Sequence, residues 1–192
     1  MAEIRHGDWI ETYTGKKFWP LDPRPEEVCI EDIAHGLSNI CRFNGQTRHF
    51  YSVAQHSINC TLLAERKGYG DRLQMLMLLH DAAEAYISDI AKPIKPFLTD
   101  FKEIENRIQK VIYTALNIMP PDELEERLIK DIDTIMLVTE GKALMPFNGW
   151  GEWSEGIEPD DYAVLTPVPP SSVKAQFWSI AKKLGARLGA RI

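Results

Sequence analysis

Residues 73–86 read LQMLMLLHDAAEAY, an almost unbroken apolar run that meets His80 and Asp81 and carries Glu84 four residues beyond the histidine. Leu73, Leu76, Met77 and Leu79 recur at helical spacing, so the stretch predicts a deeply buried helix over Asp71–Ile87. Asp71 supplies a good capping residue at its start. An imidazole beside a carboxylate inside such a helix is costly to bury unless something pairs both groups.

Working outward from this helix, the other segments keep the same period. Ile33, Leu37, Ile40 and Cys41 predict a helix from Ile30 to about Arg42–Gly45, with Glu31 and Asp32 in its first turn. Val53, Ile58, Leu62 and Leu63 predict another from Phe50 to Lys67, ending at Gly68, with His56 in its middle. Pro93 and Pro96 interrupt the pattern before a helix over Phe97–Leu116, and Pro120 and Pro121 interrupt it again before one over Asp122–Leu144. A last helix is expected from a cap at Ser171 or Ser172 to about Leu188.

Residues 1–28, punctuated by Gly15, Pro20, Pro23 and Pro25, read as an irregular or partly extended segment lying across the domain. The stretch MPFNGWGEWSEGIEPDDY, 145–162, reads as a loop, where Trp150 and Trp153 could stack on a base or anchor the loop by burial. No convincing period-2 strand occurs, so the expected class is all-α: one domain over 1–192, its core about 30–145.

Composition narrows the partners. The 44% hydrophobic and 26% charged content is that of a globular chain, and a net charge of −6 argues against duplex nucleic acid or a polybasic membrane surface. Cys29, Cys41 and Cys60 form no CxxC pair and leave an odd thiol, which fits a reducing compartment and core positions. No apolar run approaches the roughly 20 residues of a membrane span, and the N-terminus lacks a signal-peptide pattern, so the expected location is cytoplasmic. TGKK at 14–17 lacks the flanking residues of a phosphate loop and carries no weight.

The groups with metal-ligand chemistry fall on successive helices: His56, the pair His80 and Asp81, and Asp133 in IKDIDTIMLVTE. Neighbouring helical residues point about 100° apart, so His80 and Asp81 can both reach one ion in a seam to which the other helices add one ligand each. His49 competes with His56, and Asp131 with Asp133; the start-of-helix position of His49 and the Asp133–Leu137–Glu140–Leu144 spacing favour His56 and Asp133. Two imidazoles and two carboxylates suit Mn, Co, Fe or Zn, optionally joined by Mg, and do not choose among them. Open positions on such an ion fit hydrolysis of a phosphate ester or anhydride.

The order of a first His, then His-Asp, then a distant Asp resembles the HD-domain metal-dependent phosphohydrolases. Within them, AQHS (54–57), LLHDAAEAYISDIAKPIK (78–95) and IKDIDTIMLVTEGKALM (129–145) resemble the branch of bacterial 5'-deoxynucleotidases and phage deoxyadenosine triphosphohydrolases. The resemblance implies metal ligands at His56, His80, Asp81 and Asp133. It implies a catalytic carboxylate at Glu84, which positions or activates water, and a second at Asp89. In NICRFNG (39–45) it implies a phosphate-gripping Arg42 and, at Phe43, an aromatic supporting base or sugar; Lys95 would meet outer phosphates. The chain departs from the deoxynucleotidase pattern at Ser88-Asp89 and Lys92-Pro93, where Gly-Asp and Thr-Pro are usual, which leaves phosphate number and sugar open.

The function implied is metal-dependent hydrolysis of small deoxynucleotide mono- or triphosphates by a dimer or higher homo-oligomer. The alternatives are an HD hydrolase of a signalling nucleotide, alarmone or cyclic dinucleotide, and a noncatalytic nucleotide-binding protein that keeps a structural metal. Intact Glu84 and Asp89 weigh against the last.

Overall fold

Helix α3 (Asp71–Leu79) is the buried axis of the molecule: Leu73 and every residue from Met75 to Leu79 are buried in it. The computed structural model describes residues 5–146 and 154–192, so Trp150 and Trp153 lie outside the described residues. Around α3 pack α2 (Val53–Arg66), α6 (Glu123–Leu144) and α7 (Pro170–Leu188), while α1 (Ile30–Asn39) packs on α2, α7 and the short α4 (Glu84–Ile87). Helix α5 (Thr99–Ala115) presents Ile108 and Ile112 to the main core from the other side.

The architecture is all-α. Among the described residues the only sheet is a two-residue antiparallel ladder, β1 (Ile10–Glu11) with β2 (Lys17–Phe18), in the N-terminal segment. That segment is tied down: Phe18 is fully buried and stacks on Tyr86 of α4, with ring centroids 3.9 Å apart. Asp32 of α1 accepts from the Thr14 backbone N–H and from its hydroxyl. A smaller apolar cluster of Cys60, Leu63, Ala64, Met77, Ile132 and Met136 joins α2, α3 and α6 beside the candidate ligands. No helix among the described residues is long and apolar enough to cross a membrane.

Several boundaries differ from expectation, each for a local reason. The expected helix over Asp71–Ile87 is broken: α3 ends at Leu79, and across the next turn Ala82, Glu84, Ala85 and Tyr86 donate to carbonyls three residues back. The backbone thus tightens to 3₁₀ winding at His80–Ala83, and Gly70, not Asp71, occupies the cap position of α3. Helix α1 stops at Asn39, and Arg42–Gly45 forms a separate 3₁₀ turn with Phe43 and Asn44 at φ 52° and 51°. Helix α2 begins only at Val53, where Ser52 Oγ accepts from Gln55 N–H. Leu98 separates α5 from a 3₁₀ turn at Lys95–Phe97. Helix α7 starts at Pro170, with no serine cap, because proline has no N–H to leave unpaired at a first helical position.

The crossing of α1 and α4 is close: a Cβ on Gly36 would stand 2.9 Å from the carbonyl oxygen of Ala85 and 3.0 Å from its Cβ. Gly36→Val therefore forces α4, and the Glu84 it carries, away from α1. The expected cost is about 1–3 kcal/mol, read as a lowered Tm in thermal unfolding, with less activity per folded molecule.

Candidate metal centre

Helix α2 delivers His56, the tightened turn after α3 delivers His80 and Asp81, and the middle of α6 delivers Asp133. Helix α6 is set in register from its start by a capping box between Asp122 and Glu125. The four side chains converge. His56 Nε2 lies 3.2 Å from His80 Nε2, 3.2 Å from Asp133 Oδ1 and 3.8 Å from Asp81 Oδ2. His80 Nε2 lies 3.2 Å from Asp81 Oδ2 and 4.0 Å from Asp133 Oδ1.

The other nitrogen of each ring is already engaged. His56 Nδ1 meets Glu140 Oε1 at 2.7 Å, and His80 Nδ1 meets the Met77 carbonyl at 2.7 Å. A carboxylate and a carbonyl only accept, so each Nδ1 donates, and a neutral ring then turns an Nε2 lone pair toward the other imidazole and two carboxylate oxygens. Four acceptors facing one point repel unless a cation or protons sit among them. Donors bound at about 2.0–2.2 Å to one ion stand about 3.0–3.5 Å apart when adjacent, which three of the five spacings, each 3.2 Å, match, while those of 3.8 Å and 4.0 Å are wider. The residues fit a divalent metal.

Acid–base behaviour carries the same signature. Burial and Arg42 oppose charging His56, yet Cys60, Glu140 and Asp133 hold its pKa well above the ordinary value. Burial likewise opposes charging His80, and Asp81 outweighs it. Burial would raise both aspartates, but His80, His56 and Arg42 hold Asp81 far below the carboxylate range, and His56 holds Asp133 at about 2. The cluster attracts positive charge to its centre.

Behind it stands a polar network. Glu140 is fully buried and takes hydrogen bonds from Tyr51 Oη at 2.9 Å and Arg42 Nη2 at 3.1 Å, besides the one from His56. Arg42 Nη1 is 3.8 Å from Asp81 Oδ2, and its Nε is buried with no hydrogen-bond partner. The Arg42 guanidinium carbon sits 5.6 Å from the Phe43 ring centroid. Glu140 escaped the sequence reading as a functional residue; its position seven residues after Asp133, on the same helix face, was the available signal.

Beside His80 and Asp81 lies a pocket of about 180 Å³ lined by His80, Asp81, Ala83, Glu84, Lys95, Glu105, Asn106 and Gln109. Glu84 is buried; Lys95 Nζ donates to its Oε1 at 3.1 Å and to Glu105 at 3.2 Å, while Glu84 Oε2 is buried with no partner. Burial, with Asp81 and Asp89 nearby, pushes the Glu84 pKa to about 9. Half-buried Asp89 is raised by burial and opposed by Arg42 and Lys95. Glu105, Asn106 and Gln109 come from α5, whose contribution the sequence did not reveal.

The competing candidates stand elsewhere. His49 Nε2 meets the Leu165 carbonyl at 2.7 Å, and Asp131 is exposed. Cys60, read as a core residue, is buried but lies beside the centre, its Sγ 3.6 Å and 3.9 Å from the two nitrogens of His56. With His56 and His80 it makes a further trio of potential ligands. Burial pushes its thiol to about 11, which disfavours the thiolate a metal needs.

No family model matches the chain. It is 36% identical over 171 residues to the Uncharacterized protein YfdR of Escherichia coli (strain K12), covering 88% of this chain and 91% of that one. It is 33% identical over 180 residues to the Uncharacterized protein RCAP_rcc00048 of Rhodobacter capsulatus, with the same two coverages. A more distant match, 28% over 105 residues, is to the 5'-deoxynucleotidase YfbR of Escherichia coli O1:K1 / APEC, over 49% of this chain and 53% of the relative.

Two outcomes follow. Glu140→Gln weakens the anchor on His56 Nδ1 and lowers divalent-metal affinity by about 10–100-fold in a competition titration. Because both imidazoles have raised pKa values, protons compete with metal above the range of free histidine. Calorimetry in buffers of different ionisation enthalpy therefore registers proton release on metal binding at neutral pH, with affinity falling as pH falls.

Proposed function

The chain belongs to the family of YfdR and RCAP_rcc00048, and we propose that it is a divalent-metal-dependent phosphohydrolase acting on small nucleotides. The convergence of four acceptor atoms from His56, His80, Asp81 and Asp133, at the end of a polar pocket, carries this reading. The partial likeness to a 5'-deoxynucleotidase supports the nucleotide class.

A divalent cation held by those four residues supplies Lewis acidity toward a phosphoryl oxygen and acidifies water. The chain supplies the rest. Glu84 Oε2, which no donor group holds, belongs to a carboxylate three residues beyond Asp81 and is the atom that takes a proton from attacking water. Burial, with Asp81 and Asp89 nearby, raises Glu84, which makes its carboxylate a stronger base toward water than a free glutamate. Arg42 holds phosphate through its unpaired Nε while Glu140 fixes its other end. Asp89 stands on the leaving-group side, Lys95 orients Glu84, and Phe43 supports the sugar or base.

The pocket favours one phosphate over three. Lys95 is the only Lys or Arg among its lining residues, and it is already shared by Glu84 and Glu105. At about 180 Å³ it is smaller than the roughly 300–1,000 Å³ of a site enclosing a whole ligand, so phosphate and sugar enter while the base stays outside.

Phosphate release is to be measured from ribo- and deoxynucleoside mono- and triphosphates, alarmones and cyclic dinucleotides under Mn, Co, Zn and Mg. Deoxynucleoside monophosphates are expected to give the highest kcat/KM. Glu84→Gln should keep its metal and lose about 100-fold or more in kcat, whereas Asp133→Asn should lose the metal. A metal-replete wild type that hydrolyses none of these compounds would show the reading to be wrong.

A further inference from the structure

A buried chain of hydrogen bonds runs from the surface segment at Val164 to the metal-facing ring of His56. Val164 N–H donates to Asn59 Oδ1 at 3.0 Å, and Asn59 Nδ2 donates to the Val164 carbonyl at 3.0 Å. This double pairing fixes which way the Asn59 amide faces. The second proton of Nδ2 goes to Tyr51 Oη at 2.8 Å. Tyr51 then spends its single proton on Glu140 Oε1 at 2.9 Å, and the same oxygen receives His56 Nδ1–H at 2.7 Å. Asn59 is 2% exposed, and Tyr51, Glu140 and His56 are fully buried.

We propose that Asn59 and Tyr51 are positioning residues, through which the Val164–Thr166 segment fixes the Nε2 lone pair of His56 and thereby the affinity of the metal centre. The donation has one consistent direction. Asn59 faces Tyr51 with Nδ2, which can only donate, so the tyrosine proton is left for the carboxylate. Two donors on Oε1 and Arg42 on Oε2 hold Glu140 charged and in place. A fixed, charged Glu140 keeps the His56 proton on Nδ1 and strengthens the ring as a ligand. Packing alone would be met by Phe at 51 and Leu at 59.

The same segment has a second set of ties that bypass the relay. Gln55 Nε2 donates to the carbonyls of Val164 and Thr166, each at 3.0 Å, and His49 holds the Leu165 carbonyl. Loosening the segment through Gln55 is thus separable from breaking the relay at Asn59.

The inference rests on the metal reading of the four-ligand cluster, and the test separates the two. Co(II) affinity of the metal-free full chain is measured by competition for wild type, Tyr51→Phe, Asn59→Leu and Gln55→Ala, with helical circular dichroism of each. Tyr51→Phe and Asn59→Leu should weaken Co(II) by about 10-fold or more at unchanged helicity, and Gln55→Ala by less than about twofold. In zinc-loaded protein the His56 Nδ1–H resonance should shift on Tyr51→Phe, which a role in packing alone would not produce. Wild-type affinity in Tyr51→Phe, which keeps the ring volume, overturns the relay, as does a loss in Gln55→Ala equal to that in Asn59→Leu. A wild type that takes up no Co(II) overturns the metal reading itself, and the relay with it.

Discussion

Two imidazole rings, each pinned by a hydrogen bond from Nδ1, face each other through Nε2 atoms 3.2 Å apart. That constraint organises the rest of the molecule. Buried acceptors cannot be left pointing at one another in a low-dielectric interior, and two aspartate oxygens at the same point make matters worse. The fold keeps this arrangement because α2, α3 and α6 are locked by an apolar cluster beside it. Rigidity of the framework is what allows an electrostatically unfavourable site to persist, so that a cation relieves it rather than the side chains moving apart.

The local winding at His80 serves the same end. With 3₁₀ winding after Leu79, His80, Asp81 and Glu84 all line one pocket, where Lys95 donates to one carboxylate oxygen of Glu84. The Arg42–Glu140–Tyr51 network anchors His56, and Arg42 reaches from it to within 3.8 Å of Asp81 Oδ2 in the pocket wall.

Much of this was legible in the chain. The period of Leu73, Leu76, Met77 and Leu79 revealed α3, and the polar pair ending that run marked where the side chains of three helices meet. The positions of His56 and Asp133 on neighbouring helices followed from spacing. The tightened turn did not, because apolar periodicity is nearly the same for α and 3₁₀ winding over four residues. Glu140 was legible as part of the spacing that favours Asp133 but not as the anchor of His56, since only tertiary structure shows that its face is closed by Tyr51 and Arg42. The contributions of Asn59 and Val164 were likewise hidden: their bond joins residues 105 apart in the chain, and no local pattern encodes it. Cys60 was legible as buried but not as a neighbour of the centre.

The central claim is that His56, His80, Asp81 and Asp133 share one divalent cation. Anomalous diffraction at the metal edge, from crystals of metal-replete protein, tests it most directly. The account predicts a peak within about 2.0–2.3 Å of both Nε2 atoms and of one oxygen from each aspartate. A peak held instead by Cys60 with the two histidines, or no peak between the imidazoles, would contradict it.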